Sequence, residues 1–120
     1  MSESTFIERM RTIATHPAAR GLMDDAAVLE IGGEALVLTH DLLVEGVHCL
    51  PDADPADIAW KLVSVNLSDL AAKGARPLGV LLGHMLGPGD DRFVAGLTEV
   101  LTRYDVPLLG GDTPAGGPPR

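Results

Sequence analysis

Leu62-Val63-Ser64-Val65-Asn66-Leu67-Ser68-Asp69-Leu70-Ala71-Ala72-Lys73-Gly74-Ala75 reads as the second half of a long helix, and the rest of the chain is organised around it. Asp54 is placed to cap the start of that helix, and Pro55 suits its first turn. Gly74 can end it in a left-handed conformation, and Pro77 prevents a restart. Ile58, Leu62, Val65 and Ala72 recur at helical spacing, which predicts a core-facing side. Asn66 and Asp69 are three apart and so share a face among apolar neighbours. A carboxylate buried there needs a partner, because burying it alone is very costly. The plain alternative is a solvated Asp69 with Lys73 four residues on, an ordinary surface pair.

Upstream, Ala26 to Ile31 and Ala35 to His40 read as two strands joined by the tight turn Gly32-Gly33. Antiparallel pairing then brings Asp25, just before the first strand, and Asp41, just after the second, to one end of the hairpin. The plain reading of Asp24-Asp25 is a turn or cap pair. Thr5 and Glu8 match a capping box at the head of a short amphipathic helix over 5–15, with Phe6, Ile7, Met10 and Ile13 as its apolar stripe. His48 sits among apolar residues, where a histidine is more often structural than a ligand.

Downstream, Leu78 to Leu86 is a nearly continuous apolar run, consistent with a strand buried on both faces. Asp90 can cap a helix carrying Phe93, Val94, Leu97, Val100, Leu101 and Tyr104 at helical spacing. Trp60 and Tyr104 fit core-facing positions. Val106 to Leu109 is short and extended. Gly110-Gly111-Asp112-Thr113 follows, where glycines let the backbone approach a ligand closely or simply form a loop. The order helix, strand, strand, helix, strand, helix, strand predicts an α+β domain over 1–120. Its four strands would form one mixed or antiparallel sheet with helices on one face.

Bulk properties narrow the chemistry. The chain has 120 residues, with 46% apolar but only 3% aromatic, so its core is built from aliphatic side chains. Formal charge is −8, which excludes a basic surface for nucleic acid and repels free polyanions. One cysteine, Cys49, allows neither an internal disulfide nor a cysteine-rich zinc site. The N-terminus has no signal pattern and no apolar run reaches membrane-spanning length, so a cytoplasmic location without membrane attachment is expected.

Asp25, Asp41, Asp69 and Asp112 stand at element ends or on an apolar helix, with Thr39 and His40 beside one and Asn66 beside another. Carboxylates gathered in one place repel unless cations neutralise them. Oxygen donors without Cys or clustered His select hard ions, chiefly Mg²⁺, which in turn binds substrate phosphates. The chain contains no P-loop motif and no His-Arg-Asp kinase signature.

The segments Asp24-Asp25-Ala26-Ala27-Val28-Leu29, Thr39 through His48, Asp54 through Lys61, Val65 through Ala75 and Leu109-Gly110-Gly111-Asp112-Thr113 carry a resemblance. The chain resembles the N-terminal half of the thiamine-monophosphate kinase family. That family belongs to the superfamily that includes aminoimidazole ribonucleotide synthetase and selenophosphate synthetase. Val44-Glu45-Gly46-Val47-His48 separates the kinase from its cousins. The resemblance implies an enzyme that uses ATP to phosphorylate thiamine monophosphate to thiamine diphosphate. By the same resemblance, Asp25, Thr39, Asp41, Asp69 and Asp112 hold Mg²⁺. Asp25, His40, Gly111 and Asp112 contact the nucleotide, and His48 contacts the thiamine-phosphate substrate. No general base is implied, since the acceptor is already a phosphate oxyanion near neutral pH.

A homodimer through this domain is implied too. Met23 stands where the family usually has Gly. The family's C-terminal domain is expected to be absent, so the 120 residues alone fit a partial or inactive site. Three alternatives remain open: another ATP-using member of the superfamily, a non-catalytic dimerisation or nucleotide-binding fragment, and a Mg²⁺-dependent phosphohydrolase.

Overall fold

The computed structural model describes residues 1–24, 26–43 and 52–114. Its elements run α1 (Glu3–Arg11), a 3-10 turn (Pro17–Leu22), β1 (Ala26–Ile31), β2 (Glu34–Thr39), α2 (Pro55–Ala72), β3 (Val80–Gly83), α3 (Asp90–Tyr104) and β4 (Leu108–Asp112). They divide into two compact units. The first comprises Met1–His40 with Ser68–Ala75, and the second the described residues of Asp41–Leu67 and Arg76–Arg120.

In the first unit, α1 starts earlier than its capping signal suggests. Ser2 is the cap: its hydroxyl accepts from the Thr5 backbone N–H at 3.2 Å, so the cap sits one turn ahead of the expected Thr5–Glu8 box. The Thr12 hydroxyl closes the other end by donating to the Arg9 carbonyl at 2.7 Å. The stripe of α1 is only partly covered: Phe6 and Ile13 are exposed.

The hairpin follows the sequence closely. Gly32 and Gly33 both have positive φ, the conformation a two-residue turn matched to strand twist requires. Pairing runs from Ile31↔Glu34 to Ala26↔Thr39, so the chain enters β1 and leaves β2 at one end of the ladder.

Ahead of β1, Arg20, Gly21 and Leu22 are all left-handed, at φ 52, 65 and 55. For residues with a Cβ that conformation costs roughly 1–2 kcal/mol each. Arg11 Nε donates to the Gly21 carbonyl at 2.9 Å, and Arg20 pairs with Asp24. Met23, at φ −90 and ψ −16, is in ordinary right-handed geometry, so the position needs no glycine. The C-terminal end of α2 also lies in this unit. Gly74 (φ 68) sits at its left-handed stop. Ala75 N–H bonds the Leu70 carbonyl at 3.0 Å and Gly74 N–H the Ala71 carbonyl at 2.9 Å, the paired bonds of a Schellman cap.

In the second unit, Asp54 caps α2 as the sequence predicts, accepting from Ala56 N–H at 3.0 Å. Arg92 of α3 grips the same carboxylate through two bonds of 2.5 and 3.2 Å. The core is Ala59 and Val63 of α2 against Phe93, Leu97 and Val100 of α3. Burying each larger apolar side chain contributes roughly 1.5–3 kcal/mol.

This seam is turned from the expected one. Ala59 and Val63 are buried, Ile58, Leu62 and Val65 are only partly covered, and Ala72 is exposed. The cause lies on the other helix. A Cβ at Gly96 would stand 2.4 Å from the Ala56 carbonyl oxygen, so α3 crosses α2 within backbone contact and its small face selects the small residues. Tyr104 meets Trp60 edge-on at 6.2 Å but stays 48% exposed, at the margin of the core it was expected to enter.

The described strands form two two-stranded sheets, β1–β2 antiparallel and β3–β4 parallel, in place of the single four-stranded sheet expected. Each ladder is closed by its own connection. A two-residue turn pairs neighbours antiparallel, whereas the helical crossover through α3 returns the chain parallel. The apolar run from Leu78 yields only Val80–Gly83 as strand, and Leu81 is 75% exposed, so it is not covered on both faces. Gly-Gly-Asp is strand and not loop: Gly110, Gly111 and Asp112 pair with Leu81, Leu82 and Gly83.

Candidate functional site

Three local devices hold Asp41, Asp112 and Asp24. The first acts on Asp41. Asn66, on the outward turn of α2, donates through Nδ2 to the Leu62 carbonyl at 2.9 Å. That fixes its amide plane and turns Oδ1 toward the chain leaving β2, where it accepts the Asp41 backbone N–H at 3.1 Å. Asp41 itself stays exposed.

The second device acts on Gly111 and Asp112. A Cβ on Gly111 would lie 1.8 Å from the Leu82 carbonyl oxygen, so the two strands touch backbone to backbone there. Beyond the pairing of Gly83 with Asp112, the His84 N–H donates to the Asp112 carbonyl at 3.0 Å. The His84 ring is itself fixed: Nε2 lies 2.9 Å from Asp90 Oδ1, and the ring stacks on Phe93 at 4.3 Å with an interplanar angle of 15°. The other Asp90 oxygen accepts the Gly87 N–H at 3.0 Å. These bonds, that from Gly87 first and then that from His84, hold the Asp90 carboxyl below the usual carboxylate range. Asp90 is therefore the first residue of α3 and not its cap, which is Gly89 in a left-handed conformation.

The third device acts on Asp24. Asp24 is no simple turn residue. Lys73 Nζ approaches its carboxylate at 2.6 Å and Arg20 pairs with its other oxygen. The hydrogen bond from Lys73, and next that from Arg20, lower its pKa. Lys73 thus reaches across to the segment before β1. In the same unit Thr39 ends β2 half-buried, His40 follows it exposed, and Asp69 is half-buried on α2. Asp25 and His48 lie outside the described residues.

Among the described residues no three His, Cys, Asp or Glu side chains converge as a metal site would require. The donor set still fits a hard divalent cation in kind: Thr39, Asp41, Asp69 and Asp112 offer only oxygen. Gly110 and Gly111 leave those two positions of β4 without side chains. An open groove of about 1020 Å³ runs along α3, and His84, Asp90 and Thr113 stand in its wall. It is lined by Leu82, Phe93, Leu97 and Val106 among others, and neither Asp41 nor Asp112 lines it.

Sequence reading passed over two groups with a positioning part. Asn66 had a signal, a polar residue on an apolar face one turn from Asp69, but its bond to Asp41 spans 25 residues. His84 and Asp90 had none, because a turn of unpredictable path separates them. Among the described residues no helix is long and apolar enough to cross a membrane.

Two paired ladders, an α2–α3 core and acidic residues at strand ends agree with one class of domain. Residues 23–119 match the family described as AIR synthase related protein, N-terminal domain, and the chain belongs to that family. Within it, the relatives are thiamine-monophosphate kinases. The Escherichia coli K12 enzyme is 46% identical over 101 residues, covering 80% of this chain and 31% of the relative. The Synechococcus elongatus enzyme is 45% identical over 97 residues, covering 74% and 29%. A solved structure of AaThiL complexed with AMPPCP and TMP superposes with a TM-score of 0.83 at 28% identity, over 96% of this chain and 38% of that one. The chain spans about a third of the length of the relatives it matches.

Proposed function

We propose that the chain is the Mg²⁺- and nucleotide-binding N-terminal part of an ATP-dependent kinase that converts thiamine monophosphate to thiamine diphosphate. The observation that carries this reading is the 46% identity to a thiamine-monophosphate kinase, joined to the fold shared with a structure complexed with AMPPCP and TMP. Asp25, Thr39, Asp41, Asp69 and Asp112 would hold Mg²⁺. Asp25, His40, Gly111 and Asp112 would contact the nucleotide, and His48 the thiamine phosphate. A homodimer in the cytoplasm is part of the same reading.

Bound Mg²⁺ supplies neutralisation of the phosphate charge that this acidic chain could not otherwise approach. The residues then act by position. Asn66 holds the backbone at Asp41, and the β3–β4 pairing holds Gly111 and Asp112 at a strand end. No side chain needs to remove a proton, because the accepting phosphate has a second pKa of about 6 and is ionised near neutral pH. Catalysis is then positioning and charge stabilisation, as in other phosphoryl transfers.

The test is calorimetry of AMPPCP binding to the chain, with Mg²⁺ and with EDTA. Binding that requires Mg²⁺ and is lost in Asp69→Asn, while the folded circular-dichroism spectrum persists, is the expected result. Binding indifferent to EDTA would sink the reading.

A further inference from the structure

Three features of the second unit converge on one histidine that the proposed ligand set does not use. The His84 backbone donates to the Asp112 carbonyl at 3.0 Å. The His84 ring is held from two directions, by Asp90 at 2.9 Å and by Phe93 stacked at 4.3 Å. One residue before it, Gly83 pairs with Asp112, and Leu82 lies so close to Gly111 that no side chain fits between them.

We propose that His84 is a positioning residue for Asp112, tying the end of β4 to the start of α3 through its ring and its backbone at once. The inference rests on the proposed reading of Asp112 as a Mg²⁺ ligand.

Asp112 is the last residue of β4, and all five residues of that strand are exposed. A strand end with no side-chain packing frays unless something holds its backbone. Among the described residues, the backbone bond to Asp112 beyond the ladder comes from His84. That bond is only as fixed as the backbone of residue 84, which continues past the end of β3. The ring supplies the fixity. An imidazole stacked on a buried phenyl ring and bonded to a carboxylate has one position, and Phe93, its stacking partner, is 6% exposed. Asp90, the first residue of α3, also accepts the Gly87 N–H at 3.0 Å, so both of its carboxylate oxygens are bonded. Groups that orient ligating carboxylates from behind in this way typically set metal affinity by about 10–100-fold.

The test is Mg²⁺-dependent AMPPCP binding by calorimetry on the chain, alongside thermal melting without metal. Four variants are compared: His84→Ala, His84→Gln, Asp112→Asn and Val63→Ala. Val63→Ala thins the α2–α3 core and reports what lost stability alone does to binding. The expected result is about a tenfold loss of affinity in His84→Ala. His84→Gln, which can still bond Asp90, restores most of it, and Val63→Ala leaves affinity unchanged despite a lower melting temperature. If Asp112→Asn binds like the parent, the ligand assignment of Asp112 fails and this inference falls with it. If Asp112→Asn is impaired but His84→Ala and His84→Gln both match the parent, the assignment stands and the positioning role is overturned. Equal losses in His84→Ala and Val63→Ala would also overturn it, by reducing the effect to stability. Should His84→Ala fail to fold, Asp90→Ala takes its place, with the same tenfold loss expected and parental affinity overturning the proposal.

Discussion

The Asn66 side chain accepts the backbone N–H of Asp41 at 3.1 Å, while its own amide nitrogen is held by the Leu62 carbonyl at 2.9 Å. A single side chain therefore takes its orientation from α2 and passes it to the chain leaving β2. Asn66→Ala removes both bonds. The expected loss of stability is about 1 kcal/mol, read from thermal melting. The larger consequence is for ligand binding, because Asp41 is one of the proposed Mg²⁺ ligands. Mg²⁺-dependent AMPPCP affinity should drop by about tenfold, and a parental affinity in the folded variant would refute the link.

Gly96 is where α3 touches the backbone of α2. Adding a methyl group places a carbon 2.4 Å from the Ala56 carbonyl oxygen and 2.5 Å from its Cα. Neither atom belongs to a flexible side chain, so the helices must separate. Gly96→Ala is expected to destabilise the chain by about 1–3 kcal/mol, even though alanine is the better helix former. A melting temperature equal to or above the parent's would show that the helices do not cross so closely.

Gly111 meets a similar limit on a strand. A Cβ there would fall 1.8 Å from the Leu82 carbonyl oxygen. Gly111→Ala should break the pairing of β3 with β4 from Leu82 onward, and with it the placement of Asp112. Amide exchange at His84, whose N–H bonds the Asp112 carbonyl, is the direct readout and should accelerate strongly. Unchanged protection at that amide would contradict the register.

Asp54 gives a dependence on pH with a definite sign. The hydrogen bond from Arg92, and next that from the Ala56 N–H, lower its pKa from the usual 3.8. A carboxyl whose pKa is lowered by folding contributes stability at pH above its unfolded value. It loses that contribution as pH falls through the folded value. Asp54→Asn keeps a cap for α2 but removes the charge facing Arg92. The gap in melting temperature between parent and variant should be steady near neutral pH and close below pH 3.8. Both side chains are substantially exposed, so the gap is small and shrinks further with added salt. A gap that widened on acidification would reverse the assignment.

How far the fold could be read from sequence depended on how local its causes were. The hairpin was legible because Gly32-Gly33 dictates both the turn and the register. The ends of α2 were legible for the same reason, Asp54 and Gly74 acting within one turn. The buried seam of α2 was not, since it is chosen by Gly96, 37 residues beyond Ala59, and no periodicity within α2 records that. A parallel pair was open to a mixed sheet, but the division of the described strands into two separate pairs leaves no mark in any one strand. At the site, residue types point to hard-metal chemistry, and the place of Asp41 just past β2 was legible, whereas Gly110-Gly111-Asp112 could read as a loop and is paired strand. The bonds from Asn66 to Asp41, His84 to Asp112 and Lys73 to Asp24 were not legible, because each reaches its partner through space.

The turn at Arg20, Gly21 and Leu22 carries a consequence for how this sequence can change over time. Arg20 adopts a backbone shape that glycine would take more easily, yet its guanidinium is one of two cations on Asp24. A drift to glycine at position 20 would relax the chain and leave Lys73 as the other cation on that carboxylate. After such a drift, losing Lys73 would leave Asp24 without either cation, whereas in the present sequence Arg20 would remain. The two basic residues are thus each dispensable only while the other persists, a historical dependence between positions 53 residues apart that no single substitution would reveal.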